Sequence, residues 1–255
     1  RDVLLARFLG AAMAADAFFV AFKLPNLFRR LFAEGAFSAA FVPLFSQAAE
    51  DGDEQAKRFA EHVLATLLPI LLLFTAIVES AMPWVILALT GGFHDGDAEK
   101  FQLAVDLTRI TFPFLALISL VSLLAGVLNG LGKFAAAAAA PILLNISMIT
   151  ALIFFHATEV ETAFSLAKAV TLSGVLQFLW LLVVCYRNGM RLYLRMPVLT
   201  RDVRRMLLIM APAAIGAGAM QLNLLIDVIL ASRFLPEGSI SYLYFGDRLN
   251  QLPIG

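Results

Sequence analysis

The sequence predicts an all-α fold, a polytopic bundle of membrane-crossing helices, on three observations. Of the 255 residues, 61% are hydrophobic and 15% charged, against roughly 45–50% apolar and about 25% charged in a water-soluble domain. Charge-free runs from Ile110 to Gly132, Phe134 to Phe155, Ala169 to Tyr186 and Met206 to Ile226 each reach about the ~18–20 residues a helix needs to cross a bilayer. None of these runs alternates with period two, and lipid offers the backbone no hydrogen-bond partner, so helices are favoured over a barrel.

In order, the spans fall at about 1–9, the end of a helix, then 16–48, 60–90, 101–131, 134–156, 162–187 and 203–232, and at 239–255, the beginning of another. Short polar segments separate them: Gly10 to Ala15, Glu50 to Ala56, Gly91 to Lys100, Gly132-Lys133, Ala157 to Glu161, Arg187 to Asp202 and Leu235 to Gly238. No soluble domain is inserted. Pro25, Pro43, Pro69, Pro113, Pro141 and Pro212 punctuate the spans, as the bending helices of an alternating-access carrier require, although proline is common in membrane helices generally. The chain opens on Arg1-Asp2 rather than a Met-led signal and stops at Gly255 in hydrophobic sequence. It therefore reads as a piece of a longer protein.

Alternate loops differ in basic charge, which sets orientation. Arg187, Arg191, Arg195, Arg201, Arg204 and Arg205 share a side with Lys57, Arg58 and Lys133, while Arg7, Lys100, Lys168 and Arg233 lie opposite. The arginine-rich loop is expected in the cytoplasm, and the acidic loop of Asp95, Asp97 and Glu99 outside. The stretch Asp2-Val-Leu-Leu-Ala-Arg-Phe-Leu9 recurs as Asp227-Val-Ile-Leu-Ala-Ser-Arg-Phe-Leu235 with one inserted residue, and Phe18-Phe19 aligns with Tyr244-Phe245. The copies sit in the first and seventh spans, so they run the same way and predict two parallel six-helix halves about an axis along the membrane normal. Residues 1–200 form the first lobe, from the end of the first span to the sixth, and 201–255 open the second.

Zero net charge argues against a nucleic-acid partner, which would need a basic surface. The lone Cys185 excludes an internal disulfide and reads as an apolar packing residue. His62, His94 and His156 show no ligand spacing, and there is no nucleophile elbow, phosphate-binding glycine loop or aspartate-rich Mg²⁺ motif. Phosphotransferase and ATPase chemistry have no support. Glu79, beside Pro83 and Trp84, reads as a surface charge snorkelling to the interface.

The informative charges are those inside a span. In the run from Asp16 to Glu34, the positions from Lys23 onward lie ~10–27 Å along a helix beginning near Asp16. Each such charge facing lipid costs ~2.5–3.5 kcal/mol or more, so these face a protein interior or an aqueous cavity. At 100° per residue, Asp16, Lys23, Asn26, Arg30 and Glu34 fall within about 80° of one another. Arg29 lies about 100° from Arg30, but Pro25 interrupts the ladder and loosens the phase, so either arginine can point inward. Lys23 or Arg30 can pair with Glu34, and the surplus of cations leaves room for an anion. Arg1 and Asp2, with Asp247 and Arg248, add charges in the first and last spans. Arginine suits a diphosphate, because its planar fork holds two oxygens at once and stays charged. Asp227 is the candidate ligand for a sodium ion or proton, or else the partner of Arg233.

The stretch Ala15-Asp-Ala-Phe-Phe-Val-Ala-Phe-Lys-Leu-Pro-Asn-Leu-Phe-Arg-Arg-Leu-Phe-Ala-Glu-Gly-Ala-Phe-Ser-Ala-Ala-Phe-Val-Pro43 resembles the signature of the MurJ/MviN family of lipid II flippases. Arg109-Ile-Thr-Phe-Pro-Phe114, Pro141-Ile-Leu-Leu-Asn-Ile-Ser-Met148 and Tyr244-Phe-Gly-Asp-Arg-Leu249 extend the likeness along the chain. The resemblance implies a fourteen-helix bacterial inner-membrane protein of the MOP exporter superfamily. Such a protein moves the undecaprenyl-pyrophosphate-linked peptidoglycan precursor (lipid II) outward by alternating access, for cell wall synthesis. It implies a flippase rather than an enzyme, without a cofactor beyond sodium or proton coupling, and with the division or elongation machinery as a partner. It assigns the cavity arginines to Arg1, Arg29 and Arg248, with Asp2, Asp16, Lys23, Arg30 and Glu34 at other charged cavity positions and Asp227 at a sodium position of some members. The rivals are an exporter of another polyprenyl-linked glycan, a cation-coupled drug antiporter, which an arginine-lined cavity disfavours, and a non-transporting scaffold of the same fold.

Overall fold

The computed structural model describes residues 1–29, 36–91, 93 and 98–251, with backbone alone at 217, 219, 220, 222, 224, 225 and 248–251. Eleven helices follow one another, with no strand among the described residues: α1 (Asp2–Phe8), α2 (Met13–Phe28), α3 (Phe37–Glu50), α4 (Asp53–Ser80), α5 (Met82–Thr90), α6 (Ala98–Thr111), α7 (Phe114–Gly130), α8 (Phe134–Phe154), α9 (Glu159–Arg187), α10 (Arg201–Phe234) and α11 (Ser239–Gln251). Taken as one bent element, α6 and α7 join α4, α8 and α9 as helices long and apolar enough to cross a membrane. The all-helical expectation holds, because a helix satisfies its own backbone wherever lipid surrounds it.

Prolines account for where single expected spans divide. The span at 60–90 breaks at Ala81 (φ −95°, ψ 9°), since Pro83 has no N–H for the Glu79 carbonyl and its ring crowds that oxygen. The span at 101–131 breaks at Phe112-Pro113 between α6 and α7, where Pro113 fails the Arg109 carbonyl in the same way. The neighbouring Ile110 carbonyl accepts from the Thr171 hydroxyl of α9. Pro25 stays within α2 without ending it. The carbonyl it cannot serve is that of Ala21, which accepts from Thr111 Oγ1 of α6 at 2.8 Å. The span at 16–48 is seen as α2 and α3 on either side of residues 30–35, so Arg30 and Glu34 lie outside the described residues, as do Asp95 and Asp97 of the acidic loop.

The bent α6–α7 pair is the pillar of the bundle. Helix α6 packs on α2, α5 and α9, and α7 on α3, α4, α8 and α9. Phe18, Phe19, Phe41, Phe45, Phe112 and Phe114 are fully buried around it. On the outside, Leu72, Leu73 and Ile77 of α4, Ile142 and Ile146 of α8, and Leu172 and Leu179 of α9 are exposed, forming the apolar coat that lipid covers. Helix α10 lies against α3, α4 and α5, and α11 against α2 and α10.

Without a hydrophobic drive between helices in lipid, close approach depends on small residues. Gly126 and Gly130, one turn apart on α7, leave room for the rings of Phe41 and Phe45 on α3; a Cβ at Gly130 would lie 2.4 Å from Phe45 Cδ1. Gly130→Val is therefore expected to destabilise the full-length protein by about 1–3 kcal/mol through overpacking. At Gly216 of α10 an added Cβ meets nothing within 4 Å, so Gly216→Ala is the control. Thermal unfolding in detergent checks this, and equal midpoints for Gly130→Val and wild type would show that the seam is not tight.

Candidate functional site

Polar groups of α1, α8 and α11 converge around the part-buried Arg1. Arg1 Nε donates to Asp2 Oδ1 at 2.8 Å, Nη1 to Asn145 Oδ1 of α8 at 3.0 Å and Nη2 to Tyr244 Oη of α11 at 3.2 Å. The Tyr244 hydroxyl in turn donates to Asp2 Oδ1 at 3.3 Å, and its ring stacks on Phe19 of α2 at a centroid distance of 4.2 Å. Arg1 thus joins three helices. The predicted residues Arg1 and Asp2 do come together, while Asn145 and Tyr244 were quoted in the sequence only as parts of motifs.

Lys23, Asn26 and Arg29 follow one another along α2. The Asn26 amide donates to the Phe22 carbonyl at 2.7 Å and accepts from Arg29 Nε at 3.2 Å, so it steers the guanidinium. Arg29 lines a cavity of about 410 Å³ between α3, α7, α8 and α9, whose other polar walls include Ser122, Asn129 and Gln177. Of the two arginines the periodicity left open, Arg29 is seen at this cavity and Arg30 lies outside the described residues. Lys23 lies within electrostatic range of Asp247 and Asp227, carboxylates on α11 and α10. The Arg248 side chain is outside the described residues.

Asp16 is placed differently from its neighbours on the helical wheel. It is 1% exposed and fully engaged: Oδ2 accepts from Lys100 Nζ at 3.0 Å and the Gly238 N–H at 2.8 Å, and Oδ1 from the Ser241 N–H at 2.9 Å and hydroxyl at 2.6 Å. A carboxylate of α2 therefore caps the N-terminus of α11, where the helix dipole and unpaired N–H groups favour an anion. Gly238 has φ +87°, and a Cβ there would meet the Ala11 carbonyl oxygen at 2.4 Å. Only glycine brings this N–H so close. Lys100, assigned by sequence to a loop count, is instead 4% exposed and lies 4.9 Å from the Phe93 ring centroid.

A second carboxylate escaped the sequence reading. Glu61 of α4 is fully buried, accepts the Tyr193 N–H at 3.0 Å and pairs with Arg195. Arg195, counted as a topological charge, thereby pins the segment between α9 and α10. Glu79 is half-buried, with Oε1 lacking a hydrogen-bond partner among the described residues. Asp227 is exposed on α10 and shows no pairing with Arg233, which lies over Gly91. Among the described residues no group of three His, Cys, Asp or Glu side chains stands together as a metal site.

Long apolar helices with charged side chains paired between them define a multi-pass helical membrane protein. The chain belongs to the lipid II flippase MurJ family, whose family model, "Lipid II flippase MurJ", matches residues 5–255. It is 47% identical over 263 residues to the probable lipid II flippase MurJ of Rhizobium tropici, covering 100% of this chain and 48% of that one. Against the lipid II flippase MurJ of Burkholderia cenocepacia it is 38% identical, with 99% and 50% covered. It is also similar to a solved structure titled "Lipid II flippase MurJ, inward closed conformation", with TM-score 0.81 and 27% identity over 99% of this chain and 51% of that chain. The chain spans about half the length of the curated relatives it matches.

Proposed function

We propose that the whole protein is a flippase that carries lipid II from the inner to the outer leaflet of the bacterial inner membrane by alternating access. The arginine-rich loops face the cytoplasm. The observation that carries this reading is Arg29, held by Asn26 at the edge of a cavity between four helices in a chain of the lipid II flippase family. Arg29 is part-buried at membrane depth, and a pyrophosphate supplies paired oxygens that match the planar fork of a guanidinium. Arg1, Arg29 and Arg248 clamp that group, Lys23 and Asn26 border it, and the polyprenyl tail stays in lipid. Asp227, exposed on α10 and in the field of Lys23, is the proposed site of sodium or proton coupling, and the division or elongation machinery is the proposed partner.

Depletion of the full-length protein in its host, with the lipid-linked precursor assayed on each membrane face, tests the reading. Accumulation on the inner face, reversed by re-expression, is the expected result. An unchanged distribution would move the assignment to another polyprenyl-linked glycan.

A further inference from the structure

The stretch that joins α9 to α10 is fastened before it reaches α10. It leaves α9 through a rigid exit. Gly189 has φ +85°, its N–H donates to the Tyr186 carbonyl at 3.2 Å, and the Met190 N–H donates to the Cys185 carbonyl at 3.0 Å. These are the paired bonds of a helix C-terminus closed by a left-handed glycine. Met190 itself is 5% exposed. At the other end the stretch enters α10 through Thr200, whose hydroxyl accepts from the Val203 N–H at 3.3 Å.

Midway, α4 holds the stretch at two points. Lys57 and Glu61 stand one turn apart on one face of α4. The Lys57 ammonium lies 5.0 Å from the Tyr193 ring centroid. The fully buried Glu61 carboxylate accepts from the Tyr193 N–H at 3.0 Å through Oε1 and from the Arg195 guanidinium through Oε2. Both oxygens are engaged, one of them in a charge-assisted bond. Releasing Arg195 strands the carboxylate in the core, so the pair resists being pulled apart. Neither Glu61 nor Arg195 lines the cavity at Arg29.

The latch changes how much chain is free. Residues 189–200, fully extended, reach about 40 Å; with Arg195 fixed to α4, residues 196–200 reach about 17 Å. Resting on the alternating-access reading, in which the lobes beginning at α1 and α10 part on the cytoplasmic side, we propose that Glu61 is a positioning residue of transport: by holding Arg195 it keeps the tether between the lobes short and limits how far the cytoplasmic side opens. The entropic cost of closing a tether grows with the logarithm of its length. Freeing this one from five residues to twelve lowers the ratio of cytoplasm-closed to cytoplasm-open molecules about fourfold.

Double electron–electron resonance on the full-length protein tests this, with spin labels on cysteines replacing the exposed Arg58 of α4 and Arg204 of α10. Glu61→Gln keeps an acceptor for the Tyr193 N–H but loses the charge that holds Arg195. It is expected to extend the upper limit of the distance distribution by on the order of 10 Å and to shift the closed-to-open ratio about fourfold. Arg195→Ala, a change at a side chain 44% exposed, does the same, while Arg195→Lys preserves an ion pair and keeps the wild-type limit. In proteoliposomes Glu61→Gln flips lipid II more slowly while binding it with wild-type affinity, a split that a folding defect does not produce. Wild-type distances in both Glu61→Gln and Arg195→Ala, or wild-type flipping despite lengthened distances, overturn the proposal. Lengthened distances in a protein whose wild type moves no lipid II support the tether and overturn the flippase reading instead.

Discussion

Arg29→Ala in the full-length protein is expected to abolish rescue of a depleted strain while the protein reaches the membrane in normal amounts. Arg29 sits at the rim of the cavity and Asn26 already holds its Nε, so the fork is oriented before a ligand arrives. Hydrogen bonds to a charged group contribute about 1.5–3 kcal/mol each. Loss of a two-pronged contact with a diphosphate thus weakens binding by at least about a hundredfold. Arg29→Lys keeps the charge but not the fork, and is expected to rescue poorly for that reason. Complementation, immunoblotting of membranes and the leaflet assay of the precursor together read the outcome. Full rescue by Arg29→Ala at wild-type expression would remove this residue from the clamp.

Asp16→Ala is expected to produce the largest loss of stability. The substitution strands the Lys100 ammonium at 4% exposure and leaves the N–H groups of Gly238 and Ser241 without their acceptor. Breaking a buried pair from one side costs about 3–5 kcal/mol. Because the carboxylate links α2 and α6 to the start of α11, the defect should loosen the docking of residues 235–251 first. Replacing both members of the pair, as Asp16→Leu with Lys100→Met, removes the stranded charge and should recover part of the loss. Thermal unfolding of the single and double variants of the full-length protein gives the coupling between them. Strict additivity, or an unshifted midpoint in Asp16→Ala, would show that the network contributes nothing to holding α11.

How far these features could be read in the chain differs residue by residue. Lys23, Asn26 and Arg29 were legible because a charge in a long apolar run has few places to go. The choice between Arg29 and Arg30 was not, because Pro25 interrupts the helical phase on which such a choice depends. Lys100 and Arg195 were counted as loop charges and Glu61 drew no reading, since nothing local distinguishes a lysine at a helix start from one buried against an aspartate 84 positions earlier in the chain.

Composition and apolar run length by themselves determined that this chain is all-helical and membrane-spanning, because the bilayer imposes both the length of a span and the internal satisfaction of its backbone. The motifs around Asp16 to Pro43 determined the family. Which charges share a site was decided only by the tertiary structure. Asp16 leaves the polar stripe of α2 to cap α11, Arg1 reaches Asn145 and Tyr244, and Arg29 meets a cavity walled by four helices. Pairing of charges depends on distances between helices that are remote in sequence, and those distances are set by how phenylalanines and glycines interlock in the core.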